Sequence, residues 1–429
     1  MGLRSAWVLG SMAIGLVLFS AVPSGDASAI RLGGKVSTAL YTQEVAKPGT
    51  LDEFENRTRL YERLQFTADD LIDRRISFTG SLTAWNDLTN QSIGETRGRL
   101  YRAYFRFRNL PTLWDAVRAE ARLGRQWVTA GVGSGTIDGG LLRIARPGWG
   151  ALTLFGGSLG IETRSQWRLD HMAWSRRLGG ELRIQPNLRE GIEPRIAVSF
   201  AETRREREDE SRRLGVHGSL RIRRQLRLWS EVQHDFLLEE TYGTAAGAEF
   251  LSRPSQLRVW AEYNRRRPAL PATSVFAFFE TRAVSELRGG IGMTVLDPYW
   301  LGFDFARTDF KQQNDVDRSK SFRFVVRRHW VEVGFRVSND FGGDHSNVVL
   351  SANREFGKWS TRLHLGYQTY DYGPTDVEDY STRTGILAVS YKPCPLGKLT
   401  AQVESLYNRD LEQDVRLLVR IDRRFRLAP

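Results

Sequence analysis

The chain has 429 residues, 41% hydrophobic and 26% charged, with a formal net charge of +12, a pI near 10.0 and a mean hydropathy of −0.39. After the first residues there is no apolar run of ~18 or more, which excludes a membrane-spanning helix. A membrane-spanning strand stays open, because only every second residue of such a strand need be apolar. The single cysteine, Cys394 in K-P-C-P, excludes an internal disulfide and any Cys-x-x-Cys zinc or haem motif. The six histidines show no metal-ligand spacing such as H-E-x-x-H, so neither a cofactor nor a metal is expected. The basic balance alone would suit a nucleic-acid binder. The arginines, however, alternate with apolar residues inside strand-like runs instead of clustering in a tail, which places positive charge on one face of a sheet.

Residues 1–29 read as a secretory signal peptide. Arg4 supplies the positive n-region, Trp7 to Phe19 the apolar core, and Ala27-Ser28-Ala29 a small-x-small cleavage site, so the mature chain is expected to begin at Ile30. A membrane anchor is the competing reading, and the short apolar core followed by Pro23 and Gly25 speaks against it. Export also makes nucleic acid an unexpected partner.

From Leu32 onward, period-two alternation recurs along almost the whole chain. Strands are predicted at Leu32–Thr42, Leu60–Ala68 and Arg75–Trp85. In the third, Ile76, Phe78, Gly80, Leu82 and Ala84 share a face opposite Ser77, Thr79, Ser81 and Thr83. In Arg99–Arg108, Tyr101, Ala103, Phe105 and Phe107 oppose Arg102, Tyr104, Arg106 and Arg108. Val117–Leu123 follows the Asn109-Leu110-Pro111 turn. Gly124 to Gly160 holds eleven glycines and carries weak strand signals. Ile161 to Ser175 reads as a loop folding inward or a short helix.

Strands resume at Arg195–Ala201, Arg213–Arg223, Gln225–Phe236, Thr244–Leu251 and Gln256–Asn264. The long loop Arg265 to Ser285 contains a Val275–Phe279 run that could line or plug an interior. The last nine strands are Glu286–Val295, Tyr299–Thr308, Phe322–Arg328, Val331–Ser338, Asn347–Glu355, Ser360–Tyr370, Arg383–Tyr391, Lys398–Asn408 and Val415–Phe425. Short turns such as Asp297-Pro298 alternate with longer polar loops. No repeat of fixed length and no linker divides residues 30–429.

Strands of ~9–11 residues with one apolar face, short turns at one end and longer loops at the other, point to an all-β fold. That fold is a single large antiparallel transmembrane β-barrel of about 22 strands, with a range of 18 to 24. Backbone groups in lipid must all be paired, so the sheet has to close. Val415–Phe425 is expected to pair with Leu32–Thr42. Leu417, Val419 and Ile421 would touch lipid, and Arg423 on that same face would sit at the membrane interface, where a long side chain can snorkel. Tyr41, Trp85, Trp114, Trp229, Trp260, Tyr299, Trp300, Trp330, Trp359, Tyr370, Tyr391 and Tyr407 are candidates for interfacial girdles.

The lumen candidates are Arg102, Arg106, Arg108, Arg118, Arg122, Arg213, Arg221, Arg223, Arg227, Arg258, Arg323, Arg327, Arg336, Arg362, Arg416 and Arg420. Acidic candidates are fewer: Glu120, Glu231, Glu262, Asp304, Glu332, Glu404 and Asp422. The competing reading is that Arg–acid ladders brace the wall, as expected for Glu231 with Arg258 and Asp422 with Arg420. The excess of arginine favours anions in a pore. An enzyme would need a nucleophile, a base and an orienter in mutual reach. His171, His217, His234, His329, His345 and His364 are scattered without a serine motif, so no enzymatic activity is expected.

The mature chain resembles Gram-negative porin-like outer-membrane barrels. The terminal strand ending at Phe425 looks like the signal read by the barrel-assembly machinery, although Arg426-Leu427-Ala428-Pro429 follow it here. Gly124-Arg125-Gln126 followed by Asp138-Gly139-Gly140 resembles a segment of alginate-export-type porins. By architecture the chain is also similar to the barrel of porin–cytochrome conduits, which would make it a sheath for a multihaem cytochrome or another periplasmic partner. These resemblances imply an outer-membrane protein surrounded by lipid, acting as an anion-favouring channel or as such a sheath.

Overall fold

The computed structural model describes residues 30–427, apart from 47–53, 72–74, 90–96, 113, 160–174, 187, 189, 206–207, 254, 268–282, 312–315, 341–342, 372–379 and 409–413. Residues 1–29, read from the sequence as a signal peptide, and the Val275–Phe279 run lie outside the described residues, as does all of Ile161–Ser175 except Ser175. The first strands are β1 (Arg31–Ala46), β2 (Phe54–Asp69), β3 (Ile76–Asp87), β4 (Arg97–Leu110), β5 (Arg118–Val128), β6 (Gly135–Arg146), β7 (Gly150–Leu159) and β8 (Arg176–Ile184). Next come β9 (Ile192–Arg205), β10 (Glu208–Ile222), β11 (Leu226–Asp235), β12 (Glu240–Ser252), β13 (Leu257–Arg266), β14 (Val284–Leu296) and β15 (Tyr299–Lys311). The last are β16 (Val316–Arg328), β17 (Val331–Asp340), β18 (Gly343–Phe356), β19 (Trp359–Asp371), β20 (Tyr380–Cys394), β21 (Gly397–Tyr407) and β22 (Asp414–Leu427).

Each strand pairs antiparallel with its neighbours in sequence, and β1 pairs with β22, which closes a 22-stranded barrel. The closing register runs from Leu32 opposite Leu427 to Thr42 opposite Leu417, the pairing that the two terminal patterns predicted. Observed strands run longer than the predicted ones, as in Phe54–Asp69 against Leu60–Ala68. The ladder continues past the apolar band, where alternation no longer marks it. The glycine-rich stretch turns out to hold β6 and β7, whose glycines leave too few side chains for either face to be read.

The two faces separate cleanly. On β22, Val415, Leu417 and Ile421 are exposed, whereas Asp414 and Asp422 on the opposite face are buried. The exposed apolar side chains obey a spacing. On β15, β16 and β20 three successive outward residues lie between polar or aromatic ones eight residues apart, and on β17 and β22 the run is four. On β16, Phe322, Phe324 and Val326 lie between Lys320 and Arg328; on β15, Leu301, Phe303 and Phe305 lie between Tyr299 and Arg307. On β20, Gly385, Leu387 and Val389 lie between Arg383 and Tyr391. Eight residues cover about 26 Å of strand, or ~20 Å along the barrel axis at a tilt near 40°, somewhat less than the roughly 25 Å apolar band of an outer-membrane barrel.

At the short-turn rim the Arg328 guanidinium lies 5.0 Å from the Tyr299 ring centre and Trp359 stacks on Tyr391 at 4.6 Å. Arg423 pairs there with Gly397, beside the Pro395-Leu396 turn, so it lies at the short-turn end of the apolar face and not in its middle. The girdle expectation holds only in part. Tyr299, Trp359, Tyr391 and Tyr407 lie on the apolar face, and Trp114 and Trp330 lie in turns. Tyr41, Trp85, Trp229, Trp260, Trp300 and Tyr370 fall on the polar face, because each shares its hydrogen-bonded row with a polar-face residue such as Arg59, Tyr61 or Arg327.

Replacing Phe324, in the middle of the apolar band, by arginine should cost about 2–4 kcal/mol in a bilayer. Arg323→Phe on the other face should cost less. Reversible urea titration of the barrel in lipid vesicles compares the two.

Candidate functional site

The polar face is where chemistry can reside, and the register places the predicted arginines on it. Arg102 stands opposite Ser81 and Arg106 opposite Ser77 and Arg122. Glu120 draws both Arg106 and Arg122, the latter at 2.8 Å, and Arg108 reaches Asp69 at 3.2 Å. On the far wall Arg213 bonds the buried Asp235 at 3.0 Å, and Arg221 bonds Glu193 at 3.2 Å. Arg258 bonds Glu249 at 2.8 Å. This replaces the expected Arg258–Glu231 pair; Glu231 instead stands opposite His217, 3.9 Å away.

Arg323 and Arg327 share Glu332 at 3.5 and 2.5 Å, Arg416 bonds Asp414 at 2.6 Å, and Arg420 bonds Asp422 at 3.2 Å as expected. Asp422 also accepts from the Ser37 hydroxyl at 2.5 Å and lies 3.0 Å from the Lys35 ammonium, so it bridges the seam between the first and last strands. Arg223 departs from the prediction. It lies past the end of β10, in the turn at the short-turn rim, with φ of +47°, and not on the wall.

Wall bracing therefore accounts for many of these side chains but not all. Arg102, Arg118, Arg227, Arg336 and Arg362 have no carboxylate within 4.0 Å among the described residues. Arg227 stands directly opposite Arg221 and Arg336 opposite Arg323, so like charges face each other across adjacent strands. Such pairs repel, and their charge calls for an anion or solvent between them.

Three tryptophans accompany the arginines. The guanidinium carbons of Arg227, Arg258 and Arg327 lie 5.3, 6.0 and 5.1 Å from the ring centres of Trp229, Trp260 and Trp300. Each ring lies against a glycine of a neighbouring strand: a Cβ on Gly247 would come 2.2 Å from Trp229, one on Gly290 2.6 Å from Trp260, and one on Gly292 2.3 Å from Trp300. These indoles stand near the short-turn ends of β11, β13 and β15 and form an arc of cation-backed aromatic surface.

The connection between β5 and β6 folds onto the polar face of β8, β9 and β10. Its 3₁₀ turn, Gly131–Gly133, is followed by Ser134. Ala130, Val128 and Ile137 are fully buried with Leu141, Phe155 and Ala201, and Val132 packs against them. The Val132 amide donates to the Ser199 hydroxyl at 3.2 Å, and Arg177 donates to the Ser134 carbonyl at 2.8 Å. Gly131 has φ of +48°, and a Cβ there would meet Ser199 Oγ at 2.0 Å; a Cβ on Gly133 would meet Phe155 at 2.5 Å. Both glycines are therefore needed for the close approach. The pattern G-V-G-S-G between two strands was the available signal for this segment.

Two serine–histidine pairs also form between neighbouring strands. Ser338 is hydrogen-bonded to His345, and Ser351 Oγ lies 3.0 Å from His364 Nδ1. In the second, Glu332 stands opposite Ser351 and not beside the histidine, so the carboxylate is on the wrong side to orient a base.

No protein-family model matches the chain, and no curated protein matches it. Among solved structures it is similar to Pseudomonas aeruginosa OpdK crystallised with vanillate, at 8% identity and a TM-score of 0.45, covering 93% of this chain and 99% of that one. It is also similar to Acinetobacter baumannii OccAB4, at 9% identity, a TM-score of 0.44, and 94% and 100% coverage. The translocation pore of the P pilus usher PapC matches at 11% identity and a TM-score of 0.46, with 92% and 99% coverage.

Gly131→Val should unseat the inward segment, with a cost of about 1–3 kcal/mol. Hydrogen exchange read by mass spectrometry should show the amides of Val132 and Gly133 losing protection while those of β8–β10 keep theirs. Retained protection at Val132 would mean that the glycine is not what permits docking.

Proposed function

We propose that the protein is an outer-membrane channel whose polar face lines a water-filled lumen and favours anionic solutes. The observation that carries this reading is the group of polar-face arginines without a carboxylate, Arg102, Arg118, Arg227, Arg336 and Arg362. Fixed positive charge on the wall of a pore raises the local concentration of anions and lowers that of cations. The outer-membrane setting is supported by the outward apolar side chains, three or more in succession on strands such as β9, β15, β16, β17 and β22, that cover the outward face of a closed sheet. An exposed apolar surface of this extent marks a contact with lipid or protein, and its spread around a closed sheet favours lipid.

The arc of Trp229, Trp260 and Trp300 adds flat, electron-rich faces beside guanidinium groups. A solute that carries both a carboxylate and a ring face could engage the two together. The segment Thr129–Ser134 takes up space on the polar face of β8–β10, which favours a narrowed channel over a sheath that must admit a folded partner.

In planar bilayers under a potassium chloride gradient, the reversal potential of the wild-type barrel should show anion preference. The triple variant Arg102→Glu, Arg227→Glu, Arg336→Glu should move it toward cations. Exchange of the paired Arg108 and Asp69 for Gln and Asn, which removes one charge of each sign, should leave it in place. A reversal potential that the triple variant does not move would sink the proposal.

A further inference from the structure

Charged side chains also occur on the outward face, at the long-loop end of the apolar band. Most are balanced. Arg125 and Asp138, both on that face, form a bidentate pair at 2.7 and 2.6 Å. Arg204 and Arg212 share Glu202 and Asp209, with Arg204 at 2.9 and 2.5 Å. The sector β13–β16 differs. One hydrogen-bonded row carries Arg265, Ser285, Asp309 and Arg318, and the row nearer the apolar band carries Tyr263, Leu287, Arg307 and Lys320. Four cations thus meet one described carboxylate, Asp309, which is already engaged by Arg307 at 3.0 Å and Arg318 at 3.7 Å.

Arg307 stands directly opposite Lys320 with no carboxylate between them. Lys320, Arg318 and Arg265 are exposed. Immediately inward along the same strands lies a phenylalanine column: Phe305 and Phe322 with ring centres 5.3 Å apart, then Phe303 and Phe324. Phe322, Phe324 and Phe303 are all exposed.

We propose that this surface binds the phosphate of an outer-leaflet lipid. Arg318 and Lys320 hold the phosphate oxygens, Arg307 stays on Asp309 and adds its charge beside them, and the phenylalanine column receives the acyl chains. Asp309 occupies the Arg307 fork at 3.0 and 3.1 Å, which leaves the Lys320 ammonium opposite Arg307 and the Arg318 guanidinium beside Asp309 short of negative charge. One fork and one ammonium suit a phosphate that carries more than one negative oxygen. Continuity with the apolar column selects a lipid over a phosphate free in solution, because a free ion leaves the phenylalanines unused. The inference rests on residence in a membrane and is independent of conduction through the lumen.

Native mass spectrometry of the delipidated full-length barrel tests it, with phosphatidate as the probe and phosphatidylcholine as the comparison. The wild type should retain phosphatidate in preference to phosphatidylcholine. The variant Arg307→Gln, Arg318→Gln, Lys320→Gln should lose on the order of a hundredfold in affinity, since each basic residue near an anionic headgroup is worth roughly fivefold. An equal loss of charge on the polar face, Arg102→Gln, Arg227→Gln, Arg336→Gln, should leave binding unchanged.

Equal retention by the outward triple variant overturns the proposal. So does displacement of phosphatidate by millimolar inorganic phosphate, which would make this a site for a free anion. If the triple variant does not assemble, Lys320→Glu alone provides the comparison, with weaker phosphatidate binding expected and unchanged binding overturning the proposal. A barrel that conducts anions but takes up no phosphatidate removes this inference and leaves the channel standing; the reverse result does the opposite.

Discussion

The structure depends on the pairing of its backbone. A sheet in hydrocarbon cannot leave an unpaired N–H or C=O, because each costs several kcal/mol there. Twenty-one hairpin pairings satisfy all but two edges, and the β1–β22 ladder satisfies those. Everything else follows from that closure. It divides the molecule into two faces that never share a solvent, and it obliges each strand to alternate accordingly. The faces are also assigned different work. The outer one carries leucine, phenylalanine and valine within a band of set height, and the inner one carries arginine, carboxylates and small hydroxyl residues.

Much of this was legible in the residues. Alternation in Val415–Phe425 identified the closing strand, its partner and the exceptional position of Arg423. Counting the alternating runs led to about 22 strands within a range of 18 to 24, the uncertainty lying where glycines hide the alternation of β6 and β7. Side-chain pairing across the wall was less legible. Arg258 chose Glu249 over Glu231, a choice set by register and not by proximity in sequence. The aromatic residues were misread where they lay beside an arginine on the same face. Trp229 and Trp260 each sit two residues after an arginine, a spacing that already places both on one side of the strand.

The inward segment was the least legible part, and the reason is physical. Its burial depends on glycines, which leave no periodic signature, and on Ser199, Gly215 and Phe155, contributed by three other strands. An apolar cluster has formed on a face that is otherwise charged. Ala130 and Val132 supply it from the connection, Ile137 and Leu141 from the wall. The polar surroundings make that contact discrete, because the segment either buries Val132 against Gly215 or exposes it to water.

The seam between Ser37 and Asp422 has a consequence for how the protein comes into being. The two hydrogen-bonded residues are 385 positions apart. The ladder that completes the sheet therefore joins two strands at opposite ends of the barrel's sequence. Without that ladder the sheet has two unpaired edges and one apolar face, the combination most prone to associate with another chain. A chain cut short before Val415 would have no way to cap its first strand. Closure thus requires both terminal strands of the barrel at once, and the seam is the joint at which a missing strand would leave the sheet open.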